Sequence, residues 1–291
     1  MQTTSRLWDL IQEPQGLTTV FQPIFETRGA AGGASGGASG GGHRRLFALE
    51  ALTRGPRQTN IERSDILFEY VRRKRREPEV DLLAIASALR QVRGLPGKPC
   101  LSLNVHAVTL EREKRLPDWL AELAAEYGVP LDSLIIEIVE HAPPWSGPCF
   151  LDNLDRLRGL GVRIALDDVG LGQSNFRMIV DCRPDLLKID RHFVDGSHAD
   201  PMRRAVLESI SDLACRLGAR AVAEGIEDER DLATATAAGI SLLQGYLLCR
   251  PCAPRVLKKM DFMTSPEHFR ELGSDALDDL TQELRLVQPA T

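Results

Sequence analysis

The chain has 291 residues, 43% of them hydrophobic, and a formal net charge of -5. That composition supports a substantial core and gives no general attraction to a polyanion, so a nucleic-acid polymer is not an expected partner. The opening residues MQTTSRLWDL lack a basic stretch followed by an apolar one, and no apolar run approaches membrane-spanning length. No secretory leader and no membrane contact are therefore expected, and the location expected is cytoplasmic.

In chain order, residues 1–17 read as a helical lead-in. Two strand-like runs follow, Thr19 to Phe25 and Arg45 to Leu52, separated by GAAGGASGGASGGG over Gly29 to Gly42. This low-complexity stretch reads as a flexible loop, since it lacks the Gly-Lys-Ser/Thr ending and regular spacing of a phosphate loop. Strands joined this closely run antiparallel. The basic run Arg72 to Arg76 falls on an expected helix, where a solvated charged face is the ordinary reading and a nucleotide or partner patch the sharper one.

Five apolar runs then each end in a polar residue: Leu101 to Asn104, Leu134 to Glu137, Ile164 to Asp168, Leu186 to Lys188 and Ala221 to Glu224. Such runs read as buried parallel strands whose C-terminal ends share one mouth. The intervening segments close with glycine just before the next strand, at Gly128, Gly161, Gly218 and Gly239, as helices commonly do. Helical spacing of apolar residues appears in Phe150, Leu151, Leu154, Leu157, Leu160 and in Met202, Val206, Ile210, Leu213, Leu217. Alternating strand and helix mark an α/β fold, and the length suits a single (β/α)8-type barrel. Beyond residue 253 the pattern loosens into a charged, helical extension over 253–291, read as surface packing or a partner contact.

The six cysteines are scattered, and buried thiols are the expectation for most. Cys249-Arg-Pro-Cys252 spells a CxxC, but no second Cys or His pair completes a zinc site. The candidate ligands at the mouth, Glu50, Asn104, Glu137, Asp167, Asp168 and Glu224, are hard oxygen donors, which favours magnesium or manganese over zinc. Adjacent Asp167 and Asp168 repel one another unless a cation lies between them; an isolated pair would read as a helix cap plus a solvated acid. Lys188 reads either as a snorkelling lysine or as a fixed cation that orients water or neutralises phosphate.

These residues carry a resemblance. The chain resembles the EAL domains, the family of cyclic di-GMP phosphodiesterases, through Glu50-Ala51-Leu52 with Arg54, Phe21-Gln22-Pro23-Ile24, the Asn104 strand, Glu137-Ile138-Val139-Glu140, Asp167-Asp168-Val169-Gly170, Lys188-Ile189-Asp190, Glu224-Gly225-Ile226-Glu227 and Gln244-Gly245-Tyr246. They span roughly residues 18–252, and their shared order is far more specific than any one of them.

The resemblance implies a modified TIM barrel whose first strand is antiparallel, and hydrolysis of cyclic di-GMP to linear pGpG with two magnesium or manganese ions. Carried over by position, Glu50, Asn104, Glu137 and Asp167 would hold one metal, and Asp167, Asp168 and Glu224 the second. The catalytic set would be Glu50, Lys188 and Glu224, with Lys188 orienting the attacking water and Glu224 serving as ligand or base. Substrate would meet Gln22, Leu52, Arg54, Glu227 and Gln244; Arg54 would take a phosphate and Glu227 a guanine edge, Gln244 would also support the water and metal shell, and Glu140 would brace the loop after Asp168. A homodimer and a signalling protein partner are compatible with that family.

Two segments depart from the family pattern. DDFGTGYSS stands here as Asp167-Asp168-Val169-Gly170-Leu171-Gly172-Gln173-Ser174-Asn175, and Thr53-Arg54-Gly55-Pro56 replaces the commoner Leu-Arg-Trp. The altered first loop is the support for an alternative, a catalytically silent cyclic di-GMP receptor that signals through a partner. A scaffold that binds no nucleotide is a third reading.

Overall fold

The structure, a computed structural model, describes residues 3–27, 44–93, 95, 99–139, 147–171 and 175–257. The Gly29 to Gly42 run, Glu140, Gly172 to Ser174 and the extension from residue 258 lie outside the described residues.

In chain order the elements are α1 (Thr3–Gln12), β1 (Thr18–Thr27), β2 (Arg44–Arg54), α2 (Ser64–Lys74), α3 (Glu77–Val92), β3 (Cys100–His106), α4 (Ala107–Arg112), α5 (Leu116–Tyr127), β4 (Leu134–Val139) and α6 (Pro148–Gly159). They continue with β5 (Arg163–Val169), α7 (Asn175–Cys182), β6 (Leu186–Ile189), α8 (Arg191–Val194), α9 (Pro201–Leu217), β7 (Arg220–Ala223), α10 (Glu229–Ala237), β8 (Leu242–Leu243) and α11 (Pro254–Leu257). The strands close into one barrel in sequence order. β1 runs antiparallel to β2, with Gln22 opposite Glu50, and antiparallel to β8; the other neighbours are parallel. This is the modified TIM barrel that the resemblance implies, and it contains the antiparallel pair expected from the early hairpin and the parallel strands expected from the later runs.

Two apolar layers follow from the two-residue period of the strands. Outward-facing Leu49, Leu103, Ile136, Ile164, Leu187 and Ala221 pack beneath the helices with Ile85, Leu120, Phe150 and Leu207. Inside the barrel, Ile24, Ala48, Ile135, Ala165, Leu186, Val222 and Leu242 fill the foot. Two residues further toward the mouth on the same faces stand Gln22, Glu50, Glu137, Asp167, Lys188, Glu224 and Gln244. The pleat alone thus sets a ring of polar residues on an apolar plug.

The glycines expected after helices all have positive φ, 69° at Gly128 and 72° at Gly218 among them. Both expected helices form, but their apolar stripes are not wholly inward. Met202 is 74% exposed and Leu217 50%, while Leu207, Ile210 and Ala214 are the residues of α9 that are buried. On α6, Leu151 faces outward beside buried Phe150, Leu154 and Leu157, and so does Leu160 just past the helix end. The basic run does not lie on one helix: Arg75 takes the left-handed conformation at φ 55°, and α3 begins after Arg76. Arg72 and Arg73 pair with Glu69, and Arg76 lies over Trp8 at 4.5 Å. Cys182, Cys249 and Cys252 are buried, but Cys100 and Cys149 are half-buried and Cys215 is exposed, so the buried-thiol expectation holds for half of them.

Asp231 ties the α8–α9 connection to α10. It is buried and accepts from the backbone N–H of Gly196 at 2.9 Å and of His198 at 3.0 Å, from His198 Nδ1 at 2.7 Å and from the Ser197 hydroxyl at 3.3 Å. Burial by itself would raise this carboxyl's pKa, but the donors of His198 and Gly196 outweigh it and hold it below the usual carboxylate range. A depressed folded pKa gives stability that is present above the unfolded carboxylate value and is lost as pH falls through the folded one. Asp231→Ala, which strands several donors, is expected to cost about 2–4 kcal/mol at neutral pH. In urea melts the gap from the parent should narrow on acidification; an unchanged gap would show that the charge of Asp231 is irrelevant.

Candidate active site

All eight strands bring polar residues to the barrel mouth, and Lys188 on β6 is the hub. It is 3% exposed. Its Nζ lies 2.6 Å from Glu224 Oε1, 3.2 Å from Asp167 Oδ1 and 3.5 Å from Glu50 Oε1, and it donates to Glu137 Oε1. The snorkelling reading of Lys188 is therefore wrong, because the strand parity that points Leu186 into the foot also points Lys188 inward. Burial alone would lower its pKa, but Asp167, Glu137, Glu224 and Glu50 outweigh burial and hold the ammonium well above the ordinary lysine range.

Glu137 is fully buried and accepts from the Ser102 hydroxyl at 2.9 Å. Glu50 accepts from Gln244 Nε2 at 2.5 Å and from Asn104 Nδ2 at 3.4 Å, and Asn104 also donates to the Ala51 carbonyl. Burial raises the pKa of both Glu137 and Glu224 well above the usual range; Lys188 opposes that shift and the neighbouring carboxylates reinforce it.

Asp167 and Asp168 reach the same mouth because β5 is irregular there. Successive residues of a regular strand face opposite ways, but the β5–β6 register shifts between Leu166 and Val169, and Asp168 sits at φ 50°. A left-handed non-glycine residue stores about 1–3 kcal/mol of strain, which persists only where the surroundings enforce it. One carboxylate oxygen each from Asp167, Asp168 and Glu224 lies within 4.8 Å of the others. Burial first, then the charges of Asp167 and Asp190, push the Asp168 carboxyl up to about 7.

This donor set suits divalent cations. Five carboxylates face one ammonium, all the donors are oxygen, and buried Asp167 Oδ1 accepts no hydrogen bond among the described residues, its 3.2 Å approach to Lys188 being poorly aligned for one. An oxygen-liganded cation would discharge that surplus, and magnesium, manganese and calcium all take such ligands.

From the acidic floor a cleft of about 480 Å³ opens outward. Leu52, Asn104 and His106 line one side and α2 the other, through Ser64, Phe68 and Arg72. Arg54, at the end of β2, is half-buried and donates from Nη1 to the Thr53 carbonyl and to the Ser64 hydroxyl, both at 3.1 Å. Gln22 donates to the Cys249 carbonyl at 3.2 Å. Glu227 pairs with Arg191 at 3.0 Å, and no contact among the described residues joins it to the acidic cluster. The sequence motifs do not single out Ser102, His106 or the wall formed by α2. Ser102 and His106 flank Asn104 at two-residue spacing, a signal that was available; the approach of α2 is set by a loop and was not.

Known proteins bear on this arrangement. The family model of the EAL domain matches residues 38–251. Cyclic di-GMP phosphodiesterase RocR of Pseudomonas aeruginosa is 34% identical over 156 residues, 53% of this chain and 40% of RocR. The probable cyclic di-GMP phosphodiesterase PdeA of Escherichia coli is 31% identical over 153 residues, 53% of this chain and 21% of PdeA. Both matches thus span less than half of the relative. Among solved structures, Klebsiella pneumoniae BlrP1 in complex with calcium and cyclic di-GMP superposes with a TM-score of 0.70 and 27% identity, over 83% of this chain and 57% of BlrP1. A barrel with an inverted first strand, an acidic mouth and a family match over most of the chain lead to one statement: this chain belongs to the EAL domain family.

Proposed function

We propose that the chain hydrolyses one phosphodiester of cyclic di-GMP to give linear pGpG, using two magnesium or manganese ions. The observation that carries this is the convergence of Glu50, Glu137, Asp167 and Glu224 on the Lys188 ammonium, with Asp168 beside them. Family membership and the activities named for RocR and PdeA support the choice of substrate.

In this reading Glu50, Asn104, Glu137 and Asp167 hold one cation, and Asp167, Asp168 and Glu224 the other. When bound, the pair supplies Lewis acidity and offsets charge on the attacking and leaving oxygens. Lys188 stays protonated, so it acts as a fixed donor that orients water and not as a base. Glu224 either ligates or takes the proton of the attacking water. Arg54 binds a substrate phosphate, Gln22, Leu52 and Glu227 take substrate contacts, and Gln244 steadies Glu50 from the opposite side. The site works in the cytoplasm, and a homodimer and a protein partner are consistent with it.

Chromatography of the nucleotide products tests the proposal. With manganese or magnesium the protein should convert cyclic di-GMP to pGpG, and calcium should stop the reaction or slow it sharply. Intact nucleotide after hours with metal in excess, accompanied by nucleotide-dependent thermal stabilisation, would favour the silent receptor.

A further inference from the structure

We infer that Ser64, the first residue of α2, is a positioning residue that presents Arg54 to the substrate phosphate. The inference rests on Arg54 acting as the phosphate ligand proposed above.

Arg54 ends β2, and ten residues later the chain has come back to meet it. The return is closed by backbone: Gly55 N–H donates to the Glu62 carbonyl at 2.9 Å, and Glu62 N–H to the Thr59 carbonyl at 3.2 Å. The Thr59 hydroxyl adds a bond to the Pro56 carbonyl at 2.7 Å. Gly55 permits this closure, since a Cβ there would lie 2.0 Å from the Ile61 carbonyl oxygen. The loop therefore delivers the start of α2 to one place.

A serine at a helix start ordinarily satisfies its own helix. Here Arg63 is the cap residue, no side chain caps α2, and the Ser64 hydroxyl instead accepts from Arg54 Nη1. With Nη1 shared between Ser64 and the Thr53 carbonyl, Nε and Nη2 make no hydrogen bond among the described residues. That edge is the geometry that grips a phosphate with two parallel donors. Ser64 and Leu52 both line the cleft, so the guanidinium is held beside the path to the acidic floor.

The position of Ser64 is backed from behind. The opposite face of α2 places Leu67 and Val71 in a satellite core with Ile11, Leu17, Ile61 and Val80, separate from the barrel core. Ser64 thus stands on a seated helix, and its hydroxyl fixes one of the two ends of the guanidinium plane. Without it Arg54 keeps its charge and its anchor on Thr53 but regains rotamer freedom, which substrate must then restrict on binding.

The test uses the full chain with manganese and cyclic di-GMP, comparing the parent with S64A, S64T, R54A and R54A/S64A. Melting temperature and the Kd for cyclic di-GMP in calcium are measured alongside. S64A should raise KM about tenfold and weaken Kd to match, with kcat within about twofold and an unchanged melting temperature. S64T, which keeps the hydroxyl, should restore KM, and S64A should add nothing in the R54A background. If R54A raises KM and S64A does not, the positioning role is overturned while the phosphate role of Arg54 stands. If S64A lowers kcat and melting temperature together and S64T fails to rescue, Ser64 only braces α2, and the inference is also overturned. If R54A itself leaves KM unchanged, the phosphate role falls and takes this inference with it.

Discussion

Lys188→Met is expected to reduce cyclic di-GMP hydrolysis by about a thousandfold or more in kcat, the loss typical of removing a preorganised charge from a reacting centre. The same substitution should lower stability in a way that depends on divalent cation. Among the described residues Lys188 is the one cation in contact with Glu50, Glu137, Asp167 and Glu224. Removing the charged partner from a buried network leaves the opposing charges uncompensated, at a cost of about 3–5 kcal/mol. In metal-free buffer the variant should therefore melt well below the parent. Manganese should then recover more of that stability in the variant than it adds to the parent, because binding to the folded state alone stabilises it. Thermal melts with and without manganese, paired with a product assay, separate the two roles. Activity within tenfold of the parent would reduce Lys188 to a counter-charge with no part in orienting water.

What the sequence makes legible differs from residue to residue, for physical reasons. Strand ends announce themselves, since an apolar run that stops at an acid has little other reason to do so, and Asn104, Glu137, Asp167, Lys188 and Glu224 all come to the mouth. The antiparallel first strand was legible because a direct hairpin admits no other direction. Helix existence was legible on α6 and α9, but helix phase was not. Met202 and Leu217 fit the 3.6-residue period as well as buried Leu207 does, and the choice between them is made by what the helix packs against.

The conformation of Asp168 was also hidden. Its sequence neighbours suggest only a regular strand, whereas it takes a left-handed φ of 50° and its carboxylate lies near those of Asp167 and Glu224. The bond from Arg54 to Ser64 depends on how the nine-residue loop from Gly55 to Arg63 folds back, which no periodicity encodes.

Glu137→Gln offers the sharpest separation of ligand from structural acid. Glu137 is fully buried, keeps its shape as glutamine, and retains Ser102 as a neighbour through Oε2. Truncating a buried acid normally strands its partner, but Lys188 keeps Glu50, Asp167 and Glu224 within 3.5 Å. Losing one of five crowded carboxylates also relieves repulsion, since the neighbouring acids push the pKa of Glu137 upward. In the absence of divalent cation the variant is thus expected to melt within about 1 kcal/mol of the parent, or above it. With manganese the order should reverse, because the parent gains binding energy that the variant has largely lost. Loss of one charged ligand, together with the misplacement of whatever it held, is expected to lower kcat about a hundredfold or more. Calorimetric titration of manganese into both proteins, with melts on the same samples, decides the matter. A variant that is strongly destabilised without metal yet binds manganese like the parent would make Glu137 a brace for the barrel interior, and the first cation would have to be held by Glu50, Asn104 and Asp167 alone.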